Sequence, residues 1–252
     1  MLHAAGGHAL NRVLHSRDEL VAAERAARLK GLCASPDPTK YWDNVAAVEA
    51  IEGEQVGHDA PIVDLGCRSG IVLTWLYQRG FRALHGCDVR RPYPPLKAAG
   101  RRHLLPTVLW GARMYASQRR GMRRAPVEAT GFPAAHFGAA TSLSVIEHGV
   151  DLEAFAAEAA RILRPGGLLV VSTDYWPAPI DVGGLRRFAK ADRIFDRAGL
   201  EAFCGTAEGA GLRLLGEPEL EAGEPVIESD GFRYTYALLA FRREGQLGVK
   251  GF

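Results

Sequence analysis

The run Ile62-Val63-Asp64-Leu65 carries an acid inside an apolar stretch and leads into Gly66 and Gly70, with Cys67, Arg68 and Ser69 between the two glycines. A strand that bears a carboxylate and turns tightly into a helix bares backbone amides beside that carboxylate, which is how parallel α/β sheets bind cofactors. Asp88 ends the next apolar run, Leu84 to Cys87. Two carboxylates would then stand side by side at the carboxyl ends of neighbouring strands, and the pair reads as a nucleoside pocket. Glu147-His148 and Asp174 follow two later apolar runs and could move a proton. Tyr175 and Trp176 come directly after Asp174, on the rim where such sheets place substrate, and are either an acceptor platform or a loop closing over the core. Tyr41 and Trp42 leave the same choice between substrate contact and core.

These residues need a scaffold that alternates strand and helix. Ser16-Arg17-Asp18-Glu19 is a capping box that opens a helix to about Leu29. Asp37-Pro38 starts a second, with Tyr41, Trp42, Val45, Val48 and Ile51 at helical spacing. Together they are expected to form an N-terminal helical cap over residues 1–59, ahead of a domain spanning 60–252. From Pro61 the pattern predicts strands at 62–65, 83–88, 126–129, 137–144 and 168–172. Helices are predicted at 71–79 and from Asp151 to 163, then at 185–198 and 200–209, with last strands at 212–215 and 234–241.

Four segments carry a resemblance. Val63-Asp64-Leu65-Gly66-Cys67-Arg68-Ser69-Gly70, Gly86-Cys87-Asp88, Ser144-Val145-Ile146-Glu147-His148 and Leu163-Arg164-Pro165-Gly166-Gly167-Leu168-Leu169 resemble, in order and spacing, the class I S-adenosylmethionine-dependent methyltransferases of the methyltransferase type 11 kind. The resemblance covers roughly residues 60–242. It implies a three-layer Rossmann-like α/β sheet, mostly parallel with an antiparallel last strand, and S-adenosylmethionine as cofactor. Gly66 and Gly70 would let the backbone approach the cofactor, with the amides of the following helix receiving its carboxylate. Asp64 would lie near the ammonium group and Asp88 would accept both ribose hydroxyls. Val89 would cover an adenine face, Glu128 would meet the adenine amino group, and the backbone near Ala129 would serve the ring. Cys67 and Ser144 complete the expected cofactor contacts. Arg68 replaces a frequent third glycine, which is tolerated if its φ stays negative, and Gly138 stands where the fourth strand often begins with Asp.

Methyl transfer needs alignment and desolvation more than a catalytic group, and a base matters only for an acceptor that starts protonated. His148 is the candidate base, Glu147 its orienting partner and Asp174 a second acid-base group. The third carboxylate that a divalent ion would require is not evident, so no metal is expected. A dinucleotide cofactor would want the spacing G-x-G-x-x-G with its acid about twenty residues on, which the chain lacks.

The 252 residues are 47% apolar, with no apolar window of membrane-spanning length and no secretory leader, so a cytoplasmic protein is expected. Cys33, Cys67, Cys87 and Cys204 are scattered, without metal-ligand spacing. The net charge of +2 conceals a segment, Arg90 to Arg124, that holds ten Lys or Arg and no acid; the remainder carries −8. This stretch, an insertion over 90–125, is expected to form a helix over the active site, with Leu104, Leu105, Val108, Leu109, Met114 and Tyr115 as its apolar stripe. Its charge would serve an anionic substrate, anionic lipid or RNA, or be a solvated rim paired with the acidic remainder or a second subunit of a homodimer. Tyr93, Trp110 and Tyr115 are few for stacking on RNA. The chain is therefore read as a methyltransferase for a small or medium acceptor, more at oxygen than elsewhere, anionic or sugar-containing. An RNA methyltransferase, an oxidoreductase and a non-catalytic binding protein are the alternatives.

Overall fold

The computed structural model describes residues 10–68, 70–90, 105–187 and 190–245. Ser69, Tyr93 and Leu104, named above, lie outside the described residues, as does the stretch 91–104 of the basic insertion. In chain order the elements are β1 (Arg12–Val13), α1 (Arg17–Leu29), α2 (Tyr41–Gly53), β2 (Ile62–Leu65), α3 (Ile71–Gln78), β3 (Leu84–Asp88), α4 (Leu105–Gln118) and β4 (Met122–Arg124). They continue with β5 (Phe137–Leu143), α5 (Leu152–Ile162), β6 (Leu163–Tyr175), β7 (Arg186–Arg187), β8 (Lys190–Ala191), α6 (Arg197–Gly209), β9 (Leu212–Leu214), β10 (Ile227–Ser229) and β11 (Phe232–Arg243).

Among the described residues nine strands form one sheet in the order β1-β11-β6-β5-β2-β3-β4, with β9 and β10 also paired to β11. β6, β5, β2, β3 and β4 run parallel, whereas β11 is antiparallel to β6. Side-chain alternation divides the apolar residues between two cores, one on each face. Ile62, Leu168, Val170, Leu238 and Ala240 pack with α1, α2 and α3. Val63, Leu169, Val171, Leu239 and Phe241 pack with α5 and α6. The sheet is thus the middle of three layers, as expected.

α2 is wedged between the sheet and α1. Its larger side chains, Tyr41, Trp42, Val45, Val48 and Ile51, are buried at the predicted spacing, and Ala46, Ala47 and Ala50 are buried as well. The alanines let neighbours close on the other flank, where larger side chains would hold the layers apart. Two polar residues, Asp43 and Asn44, are buried in the first turn of this helix, beside the carboxyl ends of the strands.

Several expected elements lie elsewhere. The third strand is β4 at Met122–Arg124, paired with Gly86 to Asp88; residues 126–129 form a turn in which the Ala129 N–H donates to the Pro126 carbonyl at 3.1 Å. Pro126 has no N–H for a ladder, which ends the strand before it. The helix expected at 185–198 is instead the short hairpin β7–β8, after which Phe195 bridges Tyr175 and Asp196 caps α6. The positive-φ pair Gly183 and Gly184 breaks the helical pattern just before the hairpin. β6 begins five residues earlier than expected: its pairing with β5 jumps from Phe137↔Leu163 to Ala139↔Leu168, looping out the Arg164-Pro165-Gly166-Gly167 turn. The predicted stripe of α4 is split, with Val108 and Met114 buried but Leu105 and Leu109 exposed. No helix among the described residues is long and apolar enough to cross a membrane.

Candidate active site

A cavity of about 720 Å³ opens at the carboxyl ends of β2, β3, β5 and β6 and is closed on its other side by the start of α2, β10 and β11. Of the nine residues expected to contact a cofactor, Asp64, Gly66, Cys67, Asp88, Val89, Glu128 and Ser144 line it; Gly70 and Ala129 do not. Glu147, His148 and Asp174 line it too. Residues far apart in the chain are therefore brought together as anticipated.

The carboxyl of Asp64 is buried and accepts a hydrogen bond from Thr141 Oγ1 at 2.8 Å. Burial, reinforced by the nearby charges of Asp88 and Asp43, pushes its pKa up to about 7. Asp88 accepts the Arg68 N–H on Oδ2 at 3.0 Å and the Arg90 N–H on Oδ1 at 2.8 Å. The two bonds tie the loop after β2 and the loop after β3 to the same carboxylate, and each oxygen keeps a lone pair for a ligand hydroxyl. At Gly66 φ is +84°, and a Cβ would collide with Val145, so the turn admits no side chain and leaves its backbone facing the cavity. The Arg68 φ, expected to be negative, is +36°. This left-handed conformation costs about 1 kcal/mol and is held by the bond from its N–H to Asp88. Gly70, also left-handed, starts α3, so the first amides of the helix follow the turn. The Cys67 thiol is driven well above its usual range by burial, with Asp64 adding to the effect, and is therefore no nucleophile.

On the opposite side, Glu147 accepts from Thr173 Oγ1 at 3.1 Å. Burial, and next the charge of Asp174, raise its pKa well above the carboxylate range. The Nδ1 atom of His148 is buried and lies 3.4 Å from Asp192 Oδ1, and His148 lines the cavity. Glu147, expected to orient His148, accepts from Thr173, and Asp192, carried in by the stretch between β8 and α6, lies beside the His148 ring. Among the described residues no three His, Cys, Asp or Glu side chains converge as a metal site.

The aromatic residues expected at the substrate are in the core. Tyr41 accepts the Ser35 N–H on its hydroxyl and packs against Trp75. Trp42 is buried under Arg12, the Tyr175 hydroxyl donates to the Leu220 carbonyl, and Trp176 packs on the apolar layer. None of the four lines the cavity. That wall is made instead by residues the sequence reading passed over: Lys40, Asp43 and Asn44 from the start of α2, Ser229 from β10, and Tyr234 and Tyr236 from β11. Asp43 and Asn44, two polar residues inside an otherwise apolar helical face, were a signal that could have revealed part of it. Lys40 Nζ donates to Ser144 Oγ, lies 3.7 Å from Asp43 Oδ2 and sits 3.8 Å from the centroid of the Tyr236 ring. Burial opposes its charge, but Tyr236, Asp43, Asp174 and Glu147 prevail and hold it protonated.

Residues 63–171 match the model of the methyltransferase domain family. This segment is a class I methyltransferase domain. Its cofactor is S-adenosylmethionine, and the cavity suits one: a turn too tight for a Cβ, a buried acid at the end of β2 and a second acid with free lone pairs at the end of β3. Solved structures share the fold of this methyltransferase at low identity. Geranyl diphosphate C-methyltransferase from Streptomyces coelicolor A3(2), solved with Mg2+, geranyl diphosphate and S-adenosyl-L-homocysteine, is 17% identical with a TM-score of 0.54 over 84% of this chain and 87% of that one. The 1,6-didemethyltoxoflavin-N1-methyltransferase of Burkholderia thailandensis is 17% identical with a TM-score of 0.52, over 92% of each chain. The [4+2]-cyclase SpnF is 16% identical with a TM-score of 0.56, over 90% and 93%. No curated protein sequence matches the chain.

Proposed function

We propose that this methyltransferase methylates a hydroxyl of a small or medium, polyhydroxylated acceptor of the sugar class, in the cytoplasm, with His148 as the base. The observation that carries this reading is the pairing of His148 Nδ1 with Asp192 at 3.4 Å on the cavity wall. An imidazole held by a carboxylate at one nitrogen can take a proton at the other, and the carboxylate then stabilises the imidazolium. A hydroxyl must lose its proton as the carbon–oxygen bond forms; an amine or an activated carbon has less need of such a base. S-adenosylmethionine, when bound, supplies the methyl group as an electrophile. Their positions around the cavity support the following roles for this chain's residues. Asp88 accepts the ribose hydroxyls, Asp64 pairs with the ammonium group, and the amides after Gly66 and Gly70 receive the carboxylate. Val89 and Glu128 flank the adenine, and Cys67 and Ser144 complete the wall.

The acceptor side carries Asp37, Asp43, Glu147, Asp174 and Glu228 against one lysine, Lys40. Even with Glu147 held protonated by burial, the other carboxylates outnumber Lys40, so the surface disfavours an anionic acceptor and offers many hydrogen-bonding oxygens to hydroxyl groups, which favours the sugar class over the anionic one. The test has two stages. Calorimetric titration with S-adenosylhomocysteine should show binding that Asp88→Ala abolishes. A panel of hydroxylated and anionic acceptors then reports turnover, and His148→Gln should lower it by about 10²- to 10⁴-fold while S-adenosylhomocysteine affinity stays unchanged. Full turnover by His148→Gln would refute the base, and exclusive use of anionic acceptors would refute the acceptor class.

A further inference from the structure

The basic segment is not absorbed by the reaction, and α4 shows how it is presented. Thr107, Val108, Gly111 and Met114 form its buried face. Thr107 Oγ1 donates to the carbonyl of Ala34, next to the cavity-lining Ser35 and Pro36, and Met114 abuts the turn at Gly70. The helix thus flanks the cavity without lining it. Its outer face is unlike an ordinary solvated face. The described residues expose five large apolar side chains, and two of them, Leu105 at 54% and Leu109 at 61%, stand one turn apart here. Arg113, Ala116 and Arg120 continue that face at helical spacing, all exposed, and Arg119 and Arg124 lie alongside. Among the described residues no carboxylate is paired with any of these four arginines.

Leucines beside arginines that have no carboxylate partner among the described residues match a surface that is apolar just beneath a layer of negative charge. Nucleic acid is a poorer match, because it would ask for exposed aromatic rings, whereas Trp110 is half-buried against Tyr77 and beneath Arg113. A second copy meeting the same face about a two-fold axis would bring the arginines together, which is unfavourable. We propose that the outer face of α4 docks the protein on an anionic phospholipid bilayer, with Leu105 and Leu109 entering the interface and the arginines meeting the headgroups. Docking there would hold the cavity beside the bilayer.

Co-sedimentation of the full chain with phosphatidylcholine vesicles, with and without phosphatidylglycerol, tests this directly. Binding is expected only to the anionic vesicles and should weaken as salt is raised. Arg113→Glu/Arg120→Glu should weaken it by about tenfold or more. Leu105→Ser/Leu109→Ser should weaken it by a similar factor of about ten while leaving the salt dependence in place. Both variants should retain the S-adenosylhomocysteine affinity of the parent, which separates loss of docking from loss of fold. Equal binding to neutral vesicles, no binding to either, RNA bound in preference to vesicles, or a dimer that the leucine changes dissociate would each overturn the proposal.

Discussion

Asp64 is held against its own charge. Its carboxyl is buried at the end of β2, and its pKa is pushed up to about 7. Because the folded-state value lies above the unfolded one, the group's contribution to stability is fully present below about pH 4 and lost as pH rises through 7, a loss of up to about 4 kcal/mol. The cofactor-free protein should therefore gain from Asp64→Asn, and the gain in Tm over the parent should grow from about pH 4 to about pH 7 and then level off. A ligand ammonium beside Asp64 reverses the balance by favouring the ionised form. S-adenosylhomocysteine binding near pH 6 should therefore release a proton, seen as a binding enthalpy that depends on the buffer's ionisation heat. The Asn variant should lack that dependence. At Gly66 the constraint is steric: Gly66→Ala, strained at φ +84° and pressed against Val145, should lose about 2 kcal/mol and the S-adenosylhomocysteine site with it. Retained binding in that variant, measured by calorimetry, would show that the turn can relax.

Between elements, a closed polar ring joins α2 to the sheet. Lys40 donates to Ser144, whose N–H donates to the Ser172 carbonyl at 3.0 Å; Ser172 Oγ donates to Asp43 Oδ2 at 3.0 Å, and Asp43 lies beside Lys40. The ring fixes Ser144, whose φ is +53°, at the point where β5 leaves the sheet for the Glu147 and His148 stretch. Burial raises the pKa of Asp43, and Lys40 is the neighbouring charge that opposes this. Lys40→Met should cost roughly 2 to 4 kcal/mol by stranding the Asp43 carboxylate, and adding Asp43→Asn should recover part of it. Additive losses in chemical denaturation of the two single variants and the double variant would show that the ring is not a unit.

For the molecule as a whole, α1 and α2 share one apolar layer with the face of the sheet formed by Ile62, Leu168, Val170, Leu238 and Ala240, and β1 pairs with β11. A chain shortened to begin at Pro61 would expose that face. It should bind a hydrophobic dye and unfold without a cooperative transition, as followed by fluorescence and circular dichroism. Sharp, cooperative unfolding of the shortened chain would show that residues 61–245 stand alone.

The sequence by itself determined the order of elements from β2 to β6, the turn at Gly66, the acids at the ends of β2 and β3, and the arrival of Glu147, His148 and Asp174 at the same edge. Those features are local: alternation within a strand, a glycine where φ must be positive, an acid at a strand end. Only the tertiary structure decided that Tyr41, Trp42 and Tyr175 belong to the core, because the side to which an aromatic residue turns depends on which layer covers it. It also decided that Asp192 lies beside His148, and that Lys40 and Tyr236 close the acceptor side. These pairings join residues from 44 to 196 positions apart, through a helix packed on the sheet and a strand returning antiparallel to it. No local periodicity carries that information; it arises when the layers bury their apolar faces against one another and bring the polar ends of distant elements to a common edge.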